Sequence, residues 1–399
     1  MAVYLDYNST TPMDPAVLAA MMPFLTENYG NAGSIHSAGQ RARSAVDSAR
    51  ESVARMIGAK AREIVFTSGG TEADNLALFG VVGASHRLKK HIVTTSIEHS
   101  AVLNACQELQ KRAGPGAPEV PDVEVTYVPV GRSGVVDPED IRRALRTDTI
   151  LISVMHANNE LGTVQPIQEI ARIAAEGEIY FHCDAVQSAG KIPVNVDRLG
   201  VDLLSVSAHK IYGPKGVGAL YVRSDTPLSP QLRGGQAERG RRAGTENVAG
   251  IVGFGKAARL AEERFAEDQS RIGALRDRFE SALIERIPDV LVNGAREHRV
   301  ANTTNLTFAG AGGEALVIAL DLMGVECSTG AACSSGTTEP SHVLLAIGLS
   351  RDDARSSLRF SLGRSTTDAE IDHALSVIPR AVERLRALSP HSVNAVSTR

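Results

Sequence analysis

The sequence has little of what marks a membrane protein, a nucleic-acid-binding protein or a disulfide-framed protein. Its 399 residues include four cysteines, at positions 106, 183, 327 and 333, and none are spaced as a zinc-binding or thioredoxin pair. No apolar run approaches roughly 18 residues, and the first residues lack the basic and apolar regions of a signal peptide. The net charge is only -4, with no basic tract carrying interleaved aromatic residues. We therefore expect a cytoplasmic protein with free thiols, no metal, no membrane contact and no nucleic-acid partner.

What the sequence does have is an alternation of strand and helix patterns from Glu63 onward. Because continuously apolar strands between helices are typical of a parallel sheet covered on both faces, we predict an α/β fold with a mostly parallel central sheet. The run 217–222 follows its predecessor too closely for a crossover helix, so it should pair antiparallel. The predicted strands are 64–67, 91–95, 123–128, 150–155, 179–182, 201–206 and 217–222.

The length allows two domains. A long helical pattern over 249–287 is the expected link to a smaller α/β unit at the C-terminal end. We predict a large domain over residues 13–258, a small domain over 1–12 and 259–388, and a disordered tail over 389–399.

Lys210 stands at the end of an apolar strand pattern, within Ser-Val-Ser-Ala-His-Lys-Ile-Tyr-Gly-Pro-Lys-Gly at 205–216. A free lysine amine has a pKa of roughly 10.4 and would be a solvated surface charge. Between a small-residue turn and the polar residues Ser207 and His209, it can instead be partly desolvated, which favours the neutral amine that condenses with an aldehyde. Taken alone, this segment leaves both interpretations open.

Two further segments, like that of Lys210, lie at the end of a predicted strand. Thr-Ser-Gly-Gly-Thr-Glu at 67–72 joins a strand to a helix start, where Gly70 and Thr71 suit either a phosphate cradle or an ordinary helix cap. It lacks the lysine of an ATP-binding P-loop. Asp184 ends another strand, where a buried carboxylate needs a cation such as a protonated ring nitrogen, and Gln187 lies one helical turn further on. Helix capping explains Asp184 equally well.

Together the three segments place an anion cradle, a carboxylate and a lysine at the carboxyl edge of one sheet, where α/β proteins bind ligands. A phosphate, a pyridinium and an aldehyde are the three groups by which pyridoxal 5'-phosphate (PLP) is held. The joint pattern therefore indicates PLP far more specifically than any one segment.

From Tyr4 to about Ser389 the chain resembles the cysteine desulfurases of the NifS/IscS type, which are class-V aminotransferase-like PLP enzymes of fold type I. The resemblance implies the fold of that class, with a mostly parallel central sheet flanked by helices and a smaller α/β C-terminal domain. It is carried by Thr-Ser-Gly-Gly-Thr-Glu at 67–72, Glu-His at 98–99, Met-His-Ala-Asn-Asn-Glu-Leu-Gly at 155–162, Asp-Ala-Val-Gln at 184–187, the lysine segment at 207–216, Arg-Gly-Arg-Arg-Ala-Gly-Thr at 239–245, Ser-Thr-Gly-Ala-Ala-Cys at 328–333, Glu-Pro-Ser-His at 339–342 and Arg-Phe-Ser-Leu-Gly-Arg at 359–364.

The resemblance implies a role for each matching residue around the PLP ring. Lys210 would carry the Schiff base and move protons. His99 would stack on the ring and act as acid or base. Asp184 would keep the ring nitrogen protonated, and Gln187 would contact the phenolic oxygen.

For the phosphate and the substrate, the resemblance implies two further groups. Gly70, Thr71, Ser207 and His209 would hold the phosphate, together with Thr245 of the neighbouring subunit in a homodimer. Asn159, which also contacts the cofactor, and Arg359 would receive the substrate carboxylate.

Cys333 is the implied nucleophile, in a run of small polar residues that we expect to be a mobile loop. Its thiolate would attack the sulfur of PLP-bound L-cysteine, leaving a Cys333 persulfide and L-alanine. The sulfur would then pass to a protein acceptor such as an iron–sulfur scaffold, for cluster assembly, or to other acceptors. Ser334 and Thr338 depart from the usual family pattern, and the chain lacks the longer tail with which some relatives engage a scaffold.

Three alternatives remain open at this point. A selenocysteine lyase would perform the same chemistry with selenium preferred. A class-V aminotransferase would not need Cys333. A non-enzymatic sulfur or iron–sulfur carrier using Cys327 and Cys333 would be colourless and indifferent to Lys210→Ala.

Overall fold

The computed structural model describes residues 2–112, 122–329 and 339–388. The predicted nucleophile Cys333 and the predicted tail 389–399 lie outside these residues. The strands are β1 (Val3–Tyr4), β2 (Ile64–Thr67), β3 (Lys89–Thr95), β4 (Asp122–Val128), β5 (Thr149–Ser153), β6 (Tyr180–Asp184), β7 (Leu203–Ser207), β8 (Gly218–Val222), β9 (Val290–Val292), β10 (Thr303–Phe308), β11 (Val325–Glu326) and β12 (Ser357–Ser361). The helices are α1 (Pro15–Thr26), α2 (Ser37–Met56), α3 (Gly70–Ala84), α4 (Ser100–Arg112), α5 (Pro138–Ala144), α6 (Ile167–Glu176), α7 (Val196–Leu199), α8 (Val248–Glu263), α9 (Phe265–Arg286), α10 (Gly313–Leu322), α11 (His342–Ala346), α12 (Arg351–Arg355) and α13 (Asp368–Leu388).

Seven strands form the central sheet in the order β2-β8-β7-β6-β5-β3-β4. The pairs within β7-β6-β5-β3-β4 are parallel, whereas β8 runs antiparallel to both β7 and β2. This confirms the predicted α/β sheet and the antiparallel run at 217–222. Since only β8 is reversed, β2, β3, β5, β6 and β7 all end at the same edge.

The sheet is buried on both faces. Successive residues of a strand point to opposite sides, so Leu203 packs with α3 and α4 in one core, and Leu204 packs with α1, α2, α6 and α8 in the other. This arrangement explains why the strands read as continuous apolar runs rather than as alternating ones.

The long helical pattern at 249–287 forms two helices, since α8 ends at Glu263 and α9 starts at Phe265. Beyond them lies a second core, built on the antiparallel sheet β12-β10-β9 with α9, α10 and α13. Strand β1 pairs in parallel with β11, and Val3 and Leu5 pack in this second core. The sequence did not predict these two short strands. The domain division at residues 12/13 and 258/259 stays a prediction.

No helix in the described part of the chain is long and apolar enough to cross a membrane.

Candidate active site

A cavity of about 400 Å³ opens at the carboxyl edge of the central sheet. It lies where the phosphate-cradle segment, the Asp184 segment and the Lys210 segment meet, next to the start of the chain and strand β12. Every predicted site residue except Thr245 and Cys333 lines it: Gly70, Thr71, His99, Asn159, Asp184, Gln187, Ser207, His209, Lys210 and Arg359. The roles assigned to these residues stay predictions, but the structure brings the side chains into one cavity.

Lys210 enters the cavity from a short 3-10 turn, Ala208–Lys210, that directly follows β7. Its side chain is half-buried in the cavity wall rather than on an exposed loop. Lys210 Nζ donates hydrogen bonds to the backbone oxygens of Asn8 and of Ser9, the latter at 2.8 Å. The amine is therefore held near the start of the chain. Its charge interacts electrostatically with Asp184 and His99.

The predicted phosphate cradle is an uncapped helix start. Helix α3 begins at Gly70 after Gly69, and no side chain caps its first turn, so Thr71 is not the N-cap residue. The backbone N–H groups at such an end attract an anion. Ser207 Oγ is buried and has no hydrogen-bond partner among the described residues. A Cβ on Gly70 would lie 2.7 Å from Val186 Cγ2, so glycine keeps this corner open.

His209 lines the cavity beside Lys210, and its Nδ1 lies 3.2 Å from Thr10 Oγ1. Burial, together with Lys210, Lys215 and Lys191, lowers the pKa of His209 to about 4. The ring is therefore neutral at pH 7, and it offers an N–H without adding a charge.

Asp184 is the last residue of β6 and is almost completely buried. Its Oδ1 accepts a hydrogen bond from Val186 N at 2.9 Å, a local turn contact without a following helix. Burial raises the pKa of Asp184, while His99, the Val186 N–H group and Lys210 act in the opposite direction. A protonated ring nitrogen in the cavity would supply the counter-charge that this carboxylate needs.

His99 directly precedes α4 and lines the same cavity. Its Nδ1 accepts from Ala101 N at 3.1 Å, so the histidine also caps the local turn, and its neutral form carries the proton on Nε2. Burial lowers the pKa of His99. Capping and a role in the cavity are compatible, because Nδ1 caps the turn while Nε2 carries the other N–H of the ring.

Arg359 is buried in the middle of β12 rather than exposed on its surface. Its Nη2 donates to Asp6 Oδ1 at 2.7 Å and to Ser9 Oγ at 2.8 Å, and its Nη1 donates to the backbone oxygen of Asn159 at 3.0 Å. Its Nε has no hydrogen-bond partner among the described residues. An arginine fork with an unused N–H at a cavity wall suits a carboxylate ligand.

Asn8 and Asp74 are among the cavity-lining residues that were not predicted as site residues. Asn8 is buried, and its backbone oxygen accepts hydrogen bonds from Lys210 and Gln187. Asp74 lies in α3, and its buried Oδ1 has no hydrogen-bond partner among the described residues, although it lies 3.6 Å from His182 Nε2. Burial and Asp184 raise the pKa of Asp74 well above its usual value. The spacing of four residues from Gly70, which puts Asp74 on the same helix face, was the available signal.

Thr245 and Cys327 lie apart from this cavity. Thr245 is exposed, at the end of the Gly- and Arg-rich stretch. Cys327 is a free thiol whose pKa is raised by burial to about 12, so it is protonated at pH 7. That state suits packing better than nucleophilic attack.

The residues present fit PLP at each of its three groups. The α3 N-terminus and the unpaired Ser207 Oγ match a phosphate, the buried Asp184 matches a pyridinium, and Lys210 Nζ is an amine for the aldehyde.

Comparisons with known proteins agree with this fit. Residues 3–374 match the family model described as aminotransferase class-V. A cysteine desulfurase IscS of Dictyoglomus turgidum is 53% identical over 389 residues, which is 98% of this chain and 96% of that protein. A solved NifS-like protein superimposes with a TM-score of 0.88 at 38% identity, covering 96% of this chain and 99% of the other. A structure of SspA in complex with cysteine gives a TM-score of 0.80 at 37% identity, covering 92% and 100%. The chain belongs to the aminotransferase class-V family, whose fold it shares with NifS-like proteins.

Proposed function

We propose that this chain is a PLP-dependent cysteine desulfurase that converts L-cysteine to L-alanine and passes the sulfur to Cys333. The observation that carries the assignment is the meeting of Lys210, Asp184 and the uncapped α3 N-terminus in one cavity of a chain 53% identical to a cysteine desulfurase. The aminotransferase class-V family and the cysteine desulfurases depend on PLP, so the cofactor follows from the same relationship.

Different cavity residues bind different groups of the cofactor. When bound, PLP supplies an aldehyde for the lysine amine and a ring that withdraws electrons from the substrate. Lys210 Nζ binds at the aldehyde end. Asp184 holds positive charge at the ring nitrogen. The first-turn N–H groups of α3, with Thr71, Ser207 and His209, hold the phosphate.

The substrate is oriented by its carboxylate. The Arg359 fork receives it beside Asn159, and Asp6, which now accepts from Arg359 Nη2, gives up that bond. Lys210 Nζ and His99 Nε2 are the two groups placed to take and return the protons of the substrate amine and α-carbon. His99 suits this role because its burial keeps the ring neutral before reaction.

The sulfur step belongs to Cys333, which lies outside the described residues. Its thiolate attacks the substrate sulfur, an S–S bond forms as the C–S bond breaks, and the substrate carbon takes up a proton and leaves as L-alanine. The described stretch just before it, Val325–Glu326 with Cys327 and Ser328, pairs with β1 and β12. This pairing places Ser328, which precedes Cys333 by five residues in the sequence, beside Arg359.

The experiment is incubation of the PLP-loaded protein with L-cysteine and a thiol reductant, which releases the persulfide sulfur as sulfide, measuring alanine and sulfide. Wild type should release both, Cys333→Ala should lose nearly all sulfide release, and Cys327→Ala serves as the matched thiol control with near-normal rates. Equal sulfide from wild type and Cys333→Ala would refute the nucleophile assignment. No alanine from wild type would refute the reaction itself.

We also infer a homodimer with shared sites. Leu18, Met22 and Leu25 lie on one exposed face of α1, beside the buried Val17 and Met21. A contiguous apolar surface of this kind is typical of an interface. Thr245 is exposed and outside its own cavity, as a residue that reaches a neighbouring phosphate should be.

Mixed dimers test this inference directly. Lys210→Ala and Thr245→Asp each disable a site when present alone. If Thr245 serves the neighbouring site, a dimer of one subunit of each kind contains one fully native site, and mixing the two inactive proteins restores activity. If Thr245 serves its own subunit, mixing restores no activity, and if it serves no site, Thr245→Asp is active by itself.

A protein sulfur acceptor, such as an iron–sulfur scaffold, and a cytoplasmic location complete the proposal. A persulfide on a protein cysteine stores sulfur in a form that another thiolate can take by exchange. The described cysteines are free thiols, as expected in a reducing compartment.

A further inference from the structure

Lys191 is a half-buried lysine next to the cavity, and no role has been assigned to it. We propose that Lys191 is a positioning residue, which holds the side-chain amide of Gln187 in the single orientation that offers an N–H to the ring oxygen of the cofactor. The inference rests on the proposed function, because it requires PLP in the cavity.

The hydrogen bonds around Gln187 define the orientation of its amide. Lys191 Nζ donates to Gln187 Oε1 at 2.8 Å and to Asn8 Oδ1 at 3.0 Å. Gln187 Nε2 donates to the backbone oxygen of Asn8 at 2.9 Å. If the amide were flipped, its NH₂ group would face Lys191 and its oxygen would face the Asn8 carbonyl. The bonds from Lys191 to Gln187 and from Gln187 to Asn8 would then both be lost.

The amide nitrogen has a second N–H, and Gln187 lines the cofactor cavity. That N–H is the donor which the cofactor oxygen would meet. Without Lys191, the buried Oε1 would lack this partner, and only the Nε2 bond to the Asn8 backbone oxygen would still favour one orientation of the amide.

Asn8 is itself fixed, so Lys191 is supported at both of its contacts. Asn302 Nδ2 donates to Asn8 Oδ1 at 2.9 Å, and Asn8 Nδ2 donates to Thr303 Oγ1 at 2.8 Å. These bonds tie the lysine to residues of the second core's sheet as well as to Gln187. The network connects the two halves of the chain behind the cofactor cavity.

A lysine in this environment is costly, which argues against an incidental position. Burial, with the charges of Lys210 and Arg359 nearby, lowers the pKa of Lys191 well below its usual value. A small cavity of about 30 Å³ separates Lys191 and Lys210 from the other ionisable groups that face them: Tyr7, Tyr212, Asp268 and Arg364. Both the ammonium and the neutral amine can donate two hydrogen bonds, so the positioning role holds in either state.

The experiment is a pH titration of the visible absorbance of the PLP-loaded protein, which follows proton loss from the Lys210-linked nitrogen. The ring oxygen carries more uncompensated negative charge after that loss, so a donated N–H favours the deprotonated form. Lys191→Met should therefore raise the titration midpoint by about one pKa unit, a tenfold change in proton affinity and the size expected for one charge-assisted hydrogen bond.

A double-mutant cycle shows whether Lys191 acts through Gln187. Gln187→Leu should raise the midpoint by a similar amount, and the double variant should shift no further. Lys191→Arg, for which the neighbouring small cavity leaves room, keeps the donors and should return the midpoint to near wild type. The exposed Lys111→Met is the charge-matched control and should not shift. If Lys191→Met does not fold, Lys191→Ala removes the same donor.

Shifts that add in the double variant, or an unchanged midpoint in both Lys191→Met and Lys191→Ala, would overturn the positioning role while leaving the proposed function intact. A wild-type protein with no visible band after incubation with PLP would overturn the proposed function, and this inference with it.

Discussion

Glu98 is a carboxylic acid with no exposed surface, immediately before His99. Its Oε1 accepts from Thr95 Oγ1 at 2.7 Å and from Met155 N at 3.0 Å, whereas Oε2 has no partner among the described residues. Burial, with a smaller contribution from Asp184, raises the pKa of Glu98 to about 8. The native protein therefore carries a neutral acid here at pH 7, and Glu98→Gln replaces it with a neutral amide of the same shape.

The size of the stability contribution of Glu98 follows from the linkage between proton binding and folding. The pKa lies about 3.5 units above the usual 4.5, and each unit is worth about 1.36 kcal/mol, so the full effect is about 5 kcal/mol. Because the folded-state pKa is raised, this stability is complete below about pH 4.5 and is lost as the pH rises towards 8. Glutamine does not titrate, so Glu98→Gln should avoid the loss.

The assay is urea unfolding of the cofactor-free protein at about pH 6 and about pH 9. The free energy of unfolding of Glu98→Gln relative to wild type should rise by about 3 kcal/mol between these conditions. The exposed Glu285→Gln is the control and should show no such rise. A difference between Glu98→Gln and wild type that does not change with pH would refute the conclusion that Glu98 is protonated in the folded protein.

Three further changes test the site and its support. Gly70→Ala, whose Cβ meets Val186, should weaken PLP binding about tenfold in a fluorescence titration, the cost of mild overpacking. Glu238→Gln breaks a buried pair with Arg50, whose Nη1 lies 2.6 Å from Glu238 Oε2, and should lower the free energy of unfolding by about 3 kcal/mol. Arg359→Lys loses the planar fork and should raise KM for cysteine about tenfold or more, with a smaller change in kcat, in steady-state kinetics.

Matched variants separate these effects from general damage. Gly131→Ala places a Cβ in open space and should leave PLP binding unchanged. Glu262→Gln breaks a more exposed pair with Arg55, at 3.1 Å, and should cost less than about 1 kcal/mol. If Gly70→Ala binds PLP as tightly as Gly131→Ala does, the cradle is not at α3.

The sequence predicted the central sheet and most of the cavity for one physical reason. Buried parallel strands give apolar runs, and their carboxyl ends share an edge, so Gly70, Asp184 and Lys210 were expected together without any knowledge of the loops. The reversal of β8 followed from the short connection alone.

The contacts of Asn8 were not predictable in the same way. Its partners Thr303 and Lys191 lie far along the chain, and the start of the chain is held near Thr303 by pairing with β11 and with Ser361 of β12. Nothing in the local run Asn-Ser-Thr-Thr distinguishes a buried network from a turn. The break between α8 and α9 at Arg264 was missed because neither glycine nor proline marks it.

Borohydride reduction of the PLP-loaded protein, followed by peptide mapping, determines whether the amine at position 210 binds the PLP aldehyde. Reduction fixes the cofactor permanently on the amine to which it was attached. We expect the phosphopyridoxyl group on Lys210 and none on Lys191, which lies close by. A label on Lys191 or on any other lysine, with Lys210 unmodified, would contradict it.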